Sequence, residues 1–114
     1  MKPLLGALAG VAIFASSAMA EDCVAPEAPT VPDRFETEEE LMAVYGEVKT
    51  FVTEKSVAYL ECLDKEIGAI NPDADNADER KAALEEAYND NVDTQNAVNN
   101  RFKAAYGVWK KENP

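Results

Sequence analysis

The chain predicts an all-α protein: an antiparallel two-helix hairpin, coiled-coil-like in its packing, with an N-terminal Pro-rich extended arm. Three observations carry that expectation. Apolar residues recur at helical spacing through two segments, each opened by a capping signature. A short acidic link holding Asn71-Pro72 separates the two segments, which makes them antiparallel neighbours. One pair of cysteines, Cys23 and Cys62, sits with one member ahead of the helices and the other inside the first.

Residues 1–20 read as a cleavable signal peptide. Met1 and Lys2 give a positive start, Leu4 to Phe14 an apolar run, and Ala18-Met19-Ala20 the small residues a signal peptidase requires. The apolar run falls short of the roughly 20 residues that a membrane span needs. Cleavage then leaves Glu21 first and Cys23 third, so Cys23 is not positioned for lipid attachment. The expected location is the periplasm or the exterior, with no membrane insertion after cleavage.

Twenty-two acidic residues against eleven basic ones give a net charge of −11, and removal of Lys2 makes it −12. Such a surface repels nucleic acid and anionic lipid, so the expected partners are proteins. About 94 mature residues make a single small domain, a size at which exported proteins often add a disulfide. With no histidine in the chain and no close Cys-x-x-Cys, the two thiols suit a structural bridge and not a metal or redox site.

Residues 21–36 form the arm. Pro26, Pro29 and Pro32 recur every third residue, the turn of polyproline II, which lines them along one edge. The segment reads either as a docking peptide for a partner's aromatic groove or, since Cys23 would tie down its far end, as an arm laid along the chain's own helices. An arm folded back along the first helix spans about 40 Å from Glu36 to Cys23, at roughly 3.1 Å per step. The helix covers about 39 Å from Glu36 to Cys62, at roughly 1.5 Å per step. The two cysteines therefore arrive together, and a Cys23–Cys62 bridge is expected.

Residues 37–112 form the hairpin. Thr37-Glu38-Glu39-Glu40 is a capping box with acids at the positive end of the helix dipole. The apolar stripe then runs through Leu41, Val44 or Tyr45, Val48, and Phe51 or Val52, and on through Tyr59, Leu63, Ile67 and Ile70. Gly68 and Asn71-Pro72 end it. Asn76 with Glu79 is the second capping box. The second seam steps alternately by four and three: Leu84, Tyr88, Asn91, Gln95, Val98, Phe102, Ala105 and Trp109. With the turn centred near Asp73, facing residues have numbers that add to about 146. That register brings the acids at 38–40 to Lys110 and Lys111, and brings Lys55 to Asn91 and Gln95.

The chemistry-bearing groups assemble no recognisable site on these helices. A calcium loop begun at Asp73 would need an oxygen ligand at its fifth place, glycine at its sixth and glutamate at its twelfth. Ala77, Asp78 and Leu84 stand there, so the motif fails. Carboxylate pairs such as Glu85-Glu86, or Glu61 with Asp64, lie on charged helix faces where nothing desolvates them. No catalytic residue, cofactor or metal site is expected, and the chain does not read as an enzyme. Tyr45 and Tyr106 flank the seam and are the expected partner-contact residues. Lys55, Asn91 and Gln95 admit two readings: a polar set that fixes register and partner choice, or a lysine whose ammonium reaches water over a buried stem. Val57, Leu60 and Tyr106 lie off the principal seams, and pairing two hairpins into a four-helix bundle, a homodimer, would cover them.

Tyr59-x-x-Cys62-Leu63-Asp64-x-Glu66, with Val48-Lys49-x-Phe51 before it and Arg101-Phe102-Lys103 after it, resembles small exported helical proteins of Gram-negative bacteria. The resemblance spans about residues 23–105 and implies a periplasmic setting and a cysteine tied to an N-terminal arm. The expected function is non-enzymatic action by protein–protein contact. The competing expectation is a periplasmic holdase-type chaperone activated by acid or stress, since protonating carboxylates near about pH 3–4 removes the charge that keeps apolar seams from clients.

Overall fold

The computed structural model describes residues 23–114, all of whose regular structure is helical. The expected signal peptide at 1–20, and Glu21 and Asp22 of the expected arm, lie outside the described residues. The first helical body consists of α1 (Glu38–Thr50), a π-helical turn (Phe51–Lys55) and α2 (Ser56–Gly68) in unbroken succession. The second is α3 (Ala77–Glu112).

The start of α1 follows the expected chemistry with one change. Thr37 has the extended backbone of a cap, and its Oγ1 accepts from the Glu40 amide at 3.0 Å. Glu40 reaches back, but one residue further: its Oε1 accepts from the Glu36 amide at 2.7 Å. The second capping box does not form. Asn76 precedes α3 with φ −106° and ψ 19°, outside the extended region from which a cap side chain reaches back to the helix, and it makes no such bond. Asn71 closes the link instead, its Oδ1 accepting from the Asp73 amide at 2.9 Å.

The π turn is the feature the periodicity did not reveal. The Ser56 amide donates to the Phe51 carbonyl, five residues back. Leu41, Val44, Val48 and Phe51 are buried before this turn, and Ser56, Tyr59 and Leu63 after it. A continuous α-helix places residue 55, not 56, next on that stripe. The two halves are out of phase by one residue, and the π turn absorbs the difference. Its surroundings favour a local departure: Phe51-Val52-Thr53 contains two β-branched residues, and the Thr53 hydroxyl donates to the Lys49 carbonyl at 2.7 Å. Deleting the exposed Glu54 is expected to convert the turn to plain α-helix while both halves keep facing α3, leaving the thermal midpoint within a few degrees. Deleting the exposed Ala97 of α3, which has no π turn to give up, should instead put Val98 and Ala105 out of phase with Leu84 and Asn91 and cost most of the cooperative melt, which circular dichroism would read.

Two clusters make the core. One joins Leu41, Val44, Val48 and Phe51 of the first body to Val98 and Ala105 of α3, with Phe35 buried among them. The other joins Tyr59 and Leu63 to Leu84, with Cys23. Along α3 the expected seam divides by sevens. Leu84, Asn91, Val98 and Ala105 are buried, whereas Tyr88, Gln95, Phe102 and Trp109 are only half-buried.

Residues 23–36 carry no helix or strand. Burial within them repeats every third residue: Cys23 and Phe35 are buried, and Pro26, Pro29 and Pro32 are half-buried between them. Cys23 and Cys62 form a disulfide with their Cα atoms 5.6 Å apart, well inside the usual range. No helix among the described residues is long and apolar enough to cross a membrane.

Candidate protein-contact face

Residues 25–30 line two grooves together with residues of the helices. Glu27, Pro29 and Thr30 share a groove with Ala43, Glu47 and Thr50 of α1. Ala25 and Pro26 share another with Tyr59, Asp90 and Thr94. A third groove, of about 420 Å³, lies between α1 and α3, lined by Leu41, Met42, Tyr45, Phe102, Tyr106 and Trp109 together with Glu38. Nothing from residues 23–36 lines it.

This groove is built from aromatic contacts. Phe102 is the hub, with its ring centroid 5.7 Å from Phe35, 5.8 Å from Tyr45 and 6.1 Å from Tyr106. The first two pairs are tilted and the third is near-parallel, arrangements that aromatic quadrupoles favour. Lys110 Nζ sits 5.3 Å from the Tyr106 centroid, in cation–π range. Tyr45 and Tyr106 are 46% and 41% exposed and Met42 is 57% exposed, so apolar surface here faces water on an otherwise acidic chain. Exposed apolar residues gathered in one groove mark contact surfaces more often than scattered ones do.

The polar seam differs from expectation at one position. Lys55 is exposed, on the π turn, and does not face Asn91. The one-residue phase slip puts Ser56 there, fully buried. Asn91 Nδ2 donates to Ser56 Oγ at 3.3 Å, and Gln95 Nε2 donates to Asn91 Oδ1 at 2.7 Å. Ser56 was legible only as the residue after Lys55. A small hydroxyl fits a close helix approach that a lysine stem would prop apart. Replacing Asn91 by Leu strands the Ser56 hydroxyl and is expected to cost about 1–3 kcal/mol. Adding Ser56→Ala should recover much of that loss, because both polar partners are then gone. Urea melts of the two variants measure the difference.

Phe35 is the other residue the periodicity missed. The three-residue rhythm of the prolines, continued past Pro32, reaches it. Burial raises the Tyr59 phenol above its ordinary value of 10.0, and the nearby Asp90 carboxylate adds to the rise. Tyr59 thus stays neutral and acts as core. Among the described residues no three His, Cys, Asp or Glu side chains gather so as to hold a metal ion. The chain matches no family model, no curated protein and no solved structure.

Proposed function

We propose that this chain is an exported, non-enzymatic protein that acts by protein–protein contact through the groove between Tyr45 and Tyr106. The single observation that carries the reading is that groove: aromatic, open to water, and lined by none of residues 23–36. Its scaffold is an antiparallel helical hairpin with an extended arm. The long-range pairs support that geometry. Arg34 with Glu112, Tyr45 with Phe102, Ser56 with Asn91 and Glu66 with Arg80 all keep the expected numerical sum to within one unit. The outermost pairs are surface ion pairs and contribute little energy, but they mark the register.

Export is the setting that suits the Cys23–Cys62 disulfide, since such bonds persist in oxidising compartments. The Ala18-Met19-Ala20 site places the mature start at Glu21 in the periplasm or outside the cell, which intact mass of the exported protein measures.

The test of function is affinity capture from a cell-envelope extract with the wild type and with Tyr45→Glu/Tyr106→Glu. Both tyrosines are exposed, so the variant should melt like the wild type. Specific capture lost in the variant supports the contact groove. Undiminished capture by the variant refutes it. Suppression of client aggregation by both proteins alike would favour the holdase reading, in which no single groove is required.

A further inference from the structure

We infer that the occupant of this face is a second copy of the same chain, packed antiparallel across it. The inference rests on the contact reading above and names the partner. Two grooves share the face. Near the chain ends lies the Tyr45, Phe102 and Tyr106 groove; near the inter-helix link lies a second, lined by Asp64, Ile67, Glu85, Tyr88 and Asn89. On α3 the two are joined by a row at heptad spacing, Tyr88, Gln95, Phe102 and Trp109, every member of which is only half-buried. Helices that bury one heptad row against a partner and leave the adjacent row half-covered have the geometry of a four-helix bundle cut in two.

Charge decides the orientation. Lys103, Tyr106 and Lys110 follow one another on one stripe of α3, at spacings of three and four, and Lys110 Nζ lies 5.3 Å from the Tyr106 ring, so lysines flank the first groove on its α3 side. On α1, Lys49 stands one turn beyond Tyr45 and adds to them, and Glu38 in the groove's lining opposes them. The second groove has an acidic rim, Asp64 and Glu85. A two-fold axis perpendicular to the helices, near Gln95, lays each basic groove over the other copy's acidic groove. The two apolar floors, Phe102 and Tyr106 against Ile67 and Tyr88, then meet. A parallel arrangement would instead place two strongly acidic ends side by side, for residues 54–93 hold twelve acidic and four basic side chains. Like charges so juxtaposed disfavour that alternative. The contact is isologous: one surface, used twice.

Charge reversal tests this directly, with sedimentation equilibrium of the purified, disulfide-intact protein and of two double variants. Lys103→Glu/Lys110→Glu makes both rims acidic, and Asp64→Lys/Glu85→Lys makes both basic. All four positions are exposed, and thermal melts check that each variant folds. The wild type is expected to dimerise in the micromolar range, and each variant alone to do so about tenfold more weakly or not at all. An equimolar mixture of the two variants should recover wild-type affinity or better, because each acidic rim then meets a basic one. A wild type that stays monomeric at every concentration, variants that dimerise like the wild type, or a mixture no tighter than its components would each overturn the inference. A monomeric chain that still loses envelope capture on Tyr45→Glu/Tyr106→Glu would leave the contact reading standing and remove only the second copy.

Discussion

Breaking the Cys23–Cys62 bridge is expected to lower stability by about 4 kcal/mol, close to everything a domain of this size has to spare. The magnitude comes from loop length. The bond joins residues 39 apart in sequence, and closing a loop of that size removes a large share of the unfolded chain's freedom. Its native end is well supported, since Cys23 is buried in the cluster of Tyr59, Leu63 and Leu84. Without the bond, nothing covalent holds residues 23–34 to α2, and between Cys23 and Phe35 only Pro26, Pro29, Val31 and Pro32 are even half-buried to keep them there. At roughly 4–8 °C per kcal/mol, the melting midpoint should fall by more than about 15 °C. Melts with and without reductant, and of Cys23→Ser/Cys62→Ser, measure this. A reduced protein that melts with the oxidised one would mean that residues 23–36 hold to the helices without their tether.

Phe35→Ala is expected to cost about 3–5 kcal/mol, the range for emptying a fully buried phenylalanine site. Phe35 is the only aromatic residue of the non-helical segment, yet it is 1% exposed. Its ring packs with Leu41, Val44, Val98 and Ala105 and leans on Phe102. The substitution should act at two levels. It opens a cavity at the end of the first cluster, and it removes the floor that supports Phe102 beneath Tyr45 and Tyr106. Urea denaturation gives the stability loss. Phe35→Leu, which refills most of the volume, should recover a large part of it. A loss below about 1 kcal/mol would show that the segment's end packs loosely, contrary to its burial.

These two residues mark how far the chain could be read by itself. Cys23 and Cys62 were legible because the arithmetic of an extended segment and a helix allows only a near-equal match, and the structure joins them. Phe35 was not, because a lone aromatic next to Arg34 and Glu36 carries no helical or strand period. Only its place in the three-residue rhythm of Pro26, Pro29 and Pro32 points inward, and that rhythm has meaning once a surface lies beneath it.

Local sequence sets the two helical bodies and their ends. Thr37 starts the first with a side-chain cap, Gly68 ends it before Pro72, and Asn76 precedes the second. It determined the row Leu84 to Trp109, because an amphipathic period is a local property that each residue's neighbours already express. Tertiary structure alone decided which of two adjacent apolar residues faces inward: Val44 over Tyr45, Phe51 over Val52. It also decided that the first body changes phase at the π turn, which exchanges Lys55 for Ser56 at Asn91. A π turn is a single-turn insertion that leaves the α period of each flanking half intact, so a slip of one residue is invisible in the local pattern. Packing across the helices settles it, since one register buries a small hydroxyl against an amide and the other buries an ammonium. The same packing left the Tyr45–Tyr106 groove open to water, with none of residues 23–36 in its lining.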